Sequence, residues 1–360
     1  MSHGKIAAGK HGHGVHLDPI RERSTRARAS PAYRNYQLVL ERVVGMRGLI
    51  ASRLDGIFDP SDYWKEELEN FDYMFDASPL IVDKLRRHCH HVTGIHAYQY
   101  RSNTDEAEVV FRKKLRALNE LGHPELLVPE PAVMGGFGFR IDGELCNLDT
   151  LKFYEALIAL EKGEVLREFR ETADRKAVWE IGAGWGGFAY QFRKIAPNTT
   201  YFIMDFPELF LFSATYLMTA FPASRVWFYD GSTLDALWTT WQQYDFVFLP
   251  HTALEEFAPP RLDLTVNMVS FQEMTSDQVS AYAARAAAVN GTYLYSLNRA
   301  RSRYNTQIDD VHDLLRQHYW VQAIDLLPVG YTTMDLSWRS GAAPTPGGYR
   351  HLLGWKRALG

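Results

Sequence analysis

The run VWEIGAGWGGFAYQFRKIA, residues 178 to 196, decides the fold. Its apolar opening reads as a buried strand ending at Ile181, and helix-like spacing resumes at Gly187. Between them Gly182, Gly184 and Gly186 permit a tight turn and a close approach of ligand to backbone. Strand, glycine turn and helix together form the unit with which an open α/β sheet cradles a nucleotide at a strand's carboxyl end. Downstream, short β-branched and aromatic runs alternate with helical ones: TYFIMDF, ELFLFSATYLMTAF, YDFVFLP, LDLTVNMVS, SDQVSAYAARAAAV, GTYLYSLN and DDVHDLLRQH. This alternation predicts a Rossmann-like doubly wound α/β domain over residues 175–360, with WVQAIDLL and YRHLLGWKR as closing edge strands.

Upstream the period changes. Tyr36, Leu40, Val43 and Ile50 form one helical stripe, Trp64, Leu68, Phe71 and Phe75 a second, and Phe111, Leu115 and Leu118 a third. Residues 31–174 therefore read as a mainly α-helical cap and substrate domain. It is interrupted by a hairpin turning at Asp142-Gly143 and resumes in a helix near Asp149, a plausible N-cap. Gly135-Gly136 would permit the cap to move as a lid. Residues 1–30, rich in Gly, His, Arg and Ser, are expected to be a flexible arm. His3, His11, His13 and His16 in that arm are expected to do nothing specific, and Arg21 to Arg28 to be a solvated basic run.

Composition narrows the class. The 360 residues are 46% apolar with a formal charge of −4, which supports a full core and argues against nucleic acid as partner. No apolar run suits a signal peptide or a membrane span, and two cysteines, Cys89 and Cys146, make no disulfide framework, so a cytoplasmic setting is expected.

The glycines alone do not choose between a nicotinamide dinucleotide and S-adenosylmethionine, because Gly182, Gly184 and Gly187 also satisfy GxGxxG. Glu180 tips the choice: a carboxylate there can hold the cationic amino group of a methionine moiety but would repel a pyrophosphate. Asp205, at the end of the next strand, can take both ribose hydroxyls of either cofactor.

On these residues the sequence resembles the class I S-adenosylmethionine-dependent methyltransferases, and within them the bacterial sugar O-methyltransferases. The resemblance runs from about Trp64 to Tyr304 through SDYWKEEL, LRRHCHHVTG, GGFGFRIDGELCNLDTLKFYEAL, EIGAGWGGFAYQF, MDFPE, FLPHTALEEF and LTVNMVSFQEM. It implies a cofactor loop at Glu180, Gly182, Ala183, Gly184, Trp185 and Gly186, ribose contacts at Asp205 with Phe206 beside it, and Leu249, Pro250 and His251 flanking the adenine. Asn267 joins the cofactor set. The family commonly has an acidic residue where this chain reads Pro250-His251, and Asp230 rivals that position for the adenine contact. The implied activity is O-methylation of a sugar or glycosylated secondary metabolite, with S-adenosylhomocysteine as product.

A sugar hydroxyl does not ionise unaided at neutral pH, so a base is needed near the carboxyl ends of the strands. Glu273 is the leading candidate, with bonding to loop amides and contact with the acceptor as its competing readings. His251 is the second, with a loop or cofactor role competing. Ser270, Phe271, Gln272, Asn298, Arg299 and Tyr304 follow strands and are expected to line the acceptor pocket, and Asn147 and Tyr154 to close over it. The block RRHCHHVTG reads as a helix end rather than a metal site, and a divalent cation, though compatible with the chemistry, has no ligand spacing to hold it. Three alternatives stay open: N-methylation of an amino-sugar, an NAD-dependent oxidoreductase, and a binding protein without a base. A homo-oligomer is compatible with all of them.

Overall fold

The computed structural model describes residues 18–101, 105–302, 304–334, 336 and 348–357. A parallel strand covered on both faces needs apolar side chains at successive rather than alternate positions. VWEI and YFIM meet this need, and every residue of Lys176–Ile181 and Thr199–Asp205 is buried. These strands lie at the centre of an eight-stranded sheet.

In chain order the strands are β1 (Phe139–Ile141), β2 (Glu144–Cys146), β3 (Lys176–Ile181), β4 (Thr199–Asp205), β5 (Val226–Phe228), β6 (Phe246–Pro250), β7 (Leu264–Met268), β8 (Tyr293–Asn298), β9 (Tyr319–Ala323) and β10 (Arg350–Lys356). β1 and β2 form a separate hairpin; the large sheet runs β5-β6-β4-β3-β7-β8-β10-β9. β3 pairs in parallel with β4 on one side and β7 on the other. The chain thus winds one way from β3 and later returns to wind the other, and right-handed crossovers place the connecting helices on opposite faces. The fold is a Rossmann-like, doubly wound α/β sheet with a helical N-terminal region, and its topological switch point is the gap between β3 and β7.

The helical region is not a separate core. Helix Pro31–Ile50 buries Tyr36, Val39, Val43, Met46 and Ile50 and packs along helix Phe210–Ala220 of the α/β part. One apolar cluster continues from Ala32 to Leu353. The hairpin turns where its sequence predicts, with Asp142 and Gly143 both at positive φ, as a two-residue turn of this twist requires.

Several expectations are corrected. Asp18–Arg28, expected to be part of the arm, is a helix whose Ala27 is buried and which packs on the turn Pro79–Val82. The histidines of residues 1–17 lie outside the described residues. The second stripe is not one helix: Asp62–Glu69 ends at Asn70, and Phe75 sits in the 3-10 turn Asp72–Asp76. β10 is not an edge strand but lies antiparallel between β8 and β9. The cap of helix Leu148–Lys162 is Asn147, whose side chain accepts the Thr150 N–H at 3.0 Å, which leaves Asp149 free for an ion pair. Gly136 is fixed by contact rather than by a need to bend, since a Cβ there would lie 1.9 Å from the Pro131 carbonyl oxygen.

Candidate functional site

The glycine turn after β3 forms the floor of a cleft at the switch point. Gly182, Gly184 and Gly186 all have positive φ. At Gly182 the requirement is double, because a Cβ would also stand 2.1 Å from Ser270 Oγ on the loop after β7. Asp205 ties the turn down: Oδ2 accepts the Gly184 N–H at 2.9 Å and Oδ1 the Phe206 N–H at 2.8 Å. Burial nevertheless dominates these bonds and pushes the Asp205 carboxyl up to about 7. Below the turn, Glu180 accepts a hydrogen bond from the Tyr201 hydroxyl at 2.9 Å, and burial raises it to about 8.

The loop after β7 supplies the facing wall. Val269 has φ of 69°, a left-handed conformation strained for a β-branched residue. The strain is held by a polar lattice built from the SFQEM block. Asn267 donates to the Ile181 carbonyl at 2.9 Å and accepts the Phe271 N–H at 3.0 Å; Asn298 donates to Asn267 at 2.9 Å; Gln272 accepts the Arg299 N–H at 3.0 Å. The lattice aims Ser270 and Glu273 into the cleft. Among the described residues the Glu273 carboxylate accepts no hydrogen bond, and burial, with the nearby negative charge of Glu67, raises it to about 8.

The helical region closes the cleft. Tyr63, Trp64 and Glu67 enter from helix Asp62–Glu69, His91, Val92 and Thr93 from the turn His90–Thr93, Lys152 and Phe153 from helix Leu148–Lys162, and Tyr331 from the loop after β9. About 790 Å³ of empty space, part of it open to solvent, lies between them. A side lobe lined by Ile57, Phe206, His251, Met274 and Tyr282 shares Trp64, Gly182, Asp205 and Ser270 with the main lobe. Asp205 and Gly182 therefore stand where the two lobes meet.

His251 belongs to the side lobe. Its Nε2–H donates to the Phe58 carbonyl at 3.0 Å, which leaves Nδ1 a buried acceptor without a partner. Burial lowers its pKa to about 4, so the ring is neutral. Beneath the glycine turn, fully buried Arg86 pairs with Glu130 at 2.8 Å and Asp149 at 2.7 Å, and its guanidinium lies 3.8 Å from the Trp185 ring centre. Lys152 pairs with Asp149 at 2.9 Å.

Of the residues singled out in the sequence, the structure brings Glu180, Gly182, Ala183, Gly184, Trp185, Asp205, Ser270 and Glu273 together in the main lobe, and Phe206 and His251 in the side lobe. Others do not line it. Gly186 is the N-cap of helix Gly187–Ile195, and Leu249 and Pro250 are the last two residues of β6, both buried. Asn267, Phe271, Gln272 and Asn298 hold the loop from behind, while Arg299 stacks on Tyr349 at 4.5 Å and Tyr304 is exposed. Asn147 and Tyr154 do not close over the cleft: Asn147 is a buried cap that donates to Glu130, and Tyr154 donates to Asn119. Asp230 caps its own turn through Ser232. Sequence reasoning missed Tyr63, Glu67, Val92, Lys152, Phe153 and Tyr331 as wall residues. Except for Tyr331, whose segment carried no signal, their signal lay in the blocks SDYWKEEL, LRRHCHHVTG and NLDTLKFYEAL, which carried the resemblance without assigning these side chains a role.

Among the described residues no group of three His, Cys, Asp or Glu is placed to hold a metal ion, and no helix is long and apolar enough to cross a membrane. No family model and no curated protein matches the chain. Among solved structures, it is similar to the small RNA methyltransferase HEN1, at 14% identity over 56% of this chain and 25% of that one, with a TM-score of 0.36. Human N-acetylserotonin methyltransferase in complex with SAM gives 10% identity over 59% and 56%, TM-score 0.31. Magnesium protoporphyrin IX methyltransferase from Synechocystis PCC 6803 with bound SAM gives 11% over 59% and 85%, TM-score 0.35. The chain thus spans a quarter of the first of these and just over half of the second.

Proposed function

We propose that this chain is an S-adenosylmethionine-dependent methyltransferase that acts on a hydroxyl of a sugar or glycosylated metabolite. The observation that carries the reading is the two-lobed cleft that meets at Asp205, with Glu180 under the glycine turn and Glu273 free on the opposite wall. Asp205 has lone pairs left for two ribose hydroxyls. The aromatic and apolar side lobe suits an adenine, whose exocyclic amino group would donate to the orphaned His251 Nδ1. This assigns His251 to recognition and leaves Glu273 as the base. Glu180 fits the cationic amino group of a methionine moiety and would oppose a pyrophosphate, which disfavours a nicotinamide dinucleotide.

When bound, the cofactor supplies a methyl group on an electrophilic sulfonium. The chain's own work is alignment and proton removal. Tyr63, Trp64 and Tyr331 offer ring faces to a sugar, and Glu273 accepts the hydroxyl proton, with a pKa near the working pH as general-base catalysis favours. The sugar class rests on the resemblance and on these ring faces. An amino-sugar is the second reading, favoured by Glu67 beside Glu273, a pair of carboxylates suited to a cationic amine. Cys89 and Cys146, free and buried, fit a reducing cytosol.

The test is incubation with S-adenosylmethionine and a panel of glycosides and amino-sugars, with release of S-adenosylhomocysteine measured. Turnover that falls on the order of 10²- to 10⁴-fold in Glu273→Gln supports the hydroxyl reading. No turnover with any glycoside or amino-sugar would contradict the proposed acceptor class, and unchanged turnover in the variant would remove Glu273 as base.

A further inference from the structure

The cleft is lined by a cation, Lys152, that the chemistry above does not use. Lys152 lies in the second turn of helix Leu148–Lys162, close to the positive end of the helix dipole, an unfavourable place for an ammonium. It is retained by Asp149 at 2.9 Å, itself shared with buried Arg86 at 2.7 Å. Only 13% of the side chain is exposed, yet it lines the main lobe together with Glu180 and the glycine turn. Its positive field reaches both Glu180 and Glu273. Asp149 fixes where Lys152 stands, and an ammonium with three donors has two left after that bond.

We propose that Lys152 and Glu180 form a two-point clamp for a zwitterionic amino acid group, with Lys152 binding the carboxylate and Glu180 the ammonium of the ligand's methionine portion. The inference rests on the cofactor reading above and assigns to a helix that precedes the α/β part the job of selecting adenosyl ligands that carry an intact amino acid. Asp149 and Arg86 act as positioning residues for Lys152. Because Arg86 also stacks on Trp185, the same ionic cluster supports both the carboxylate contact and the turn beside it.

The experiment compares three ligands by calorimetric titration of the full chain: S-adenosylhomocysteine, its decarboxylated analogue, which lacks only the carboxylate, and 5′-methylthioadenosine, which lacks the whole amino acid. A charge-assisted contact predicts that the wild type binds S-adenosylhomocysteine on the order of ten- to a hundredfold more tightly than the decarboxylated analogue. In Lys152→Met that preference disappears while 5′-methylthioadenosine binds as before, and in Lys152→Arg a preference remains. Equal affinity of the wild type for the first two ligands overturns the clamp without recourse to any variant. A preference that survives in Lys152→Met overturns the assignment to Lys152. Binding of none of the three by the wild type is a different failure, that of the adenosyl-cofactor reading itself.

Discussion

Asp205 and Glu273 are both buried carboxylates in one cleft, and their neighbours give them different work. Asp205 has each oxygen tied to a backbone N–H of the turn or of its own loop, whereas Glu273 has no donor on it. Asp205→Ala is therefore expected to abolish binding of S-adenosylhomocysteine in a titration, and Glu273→Gln to leave that binding within about twofold while turnover collapses, as loss of a general base does. On the proposed reading, the raised pKa of Glu273 governs the pH dependence. A base must be deprotonated, so kcat/KM should rise with pH through about 8 and fall toward acid. An amine acceptor relies less on this base, and a rate that persists in Glu273→Gln with an amino-sugar would favour N-methylation.

At the scale of elements, the ionic cluster of Arg86, Glu130, Asp149 and Lys152 joins helices of the N-terminal region to the glycine turn through the Trp185 ring. Removing one partner of a buried pair leaves a charge without compensation, at a cost of about 3–5 kcal/mol. Arg86→Met should lower the calorimetric Tm by roughly 4–7 °C; a drop below about 2 °C would mean that the cluster adds little to stability. The elements also explain what could be read in advance. EIGAGWGG declared the β3 turn and the open sheet, because glycines at that spacing after a buried run have few other uses. The DG hairpin was legible for the same local reason, and it forms. The polar residues of SFQEM marked the right loop, but nothing local says which of them face the cleft. Gln272 and Asn298 turn inward to satisfy backbone groups, and Glu273 is left over. Lys152 and Tyr63 were illegible as site residues because they reach the cleft from helices distant in sequence.

At the scale of the whole molecule, the carboxyls of Glu180, Glu273 and Asp205 are all raised in the folded chain, to about 8, 8 and 7, mainly by burial. Across the window between the unfolded carboxylate range and these values, these three groups bind more protons in the folded than in the unfolded state, so their contribution to stability falls as pH rises. Above the range in which the buried histidines titrate, the Tm of the ligand-free protein should decline from pH 7 to pH 8.5, and the double variant Glu180→Gln, Glu273→Gln should flatten that decline. A Tm that rises over this window would show that these carboxyls are not raised. Burying three acidic groups around one cleft is destabilising by itself, which is consistent with a site that becomes complete when a positively charged ligand enters.

Calorimetric titration of the full chain with S-adenosylmethionine, S-adenosylhomocysteine and NADH identifies that ligand without knowledge of the acceptor. Micromolar binding of both adenosyl ligands is expected, with its loss in Asp205→Ala and no heat with NADH. Binding of NADH alone would contradict it and return Glu180 and the SFQEM loop to purely structural roles.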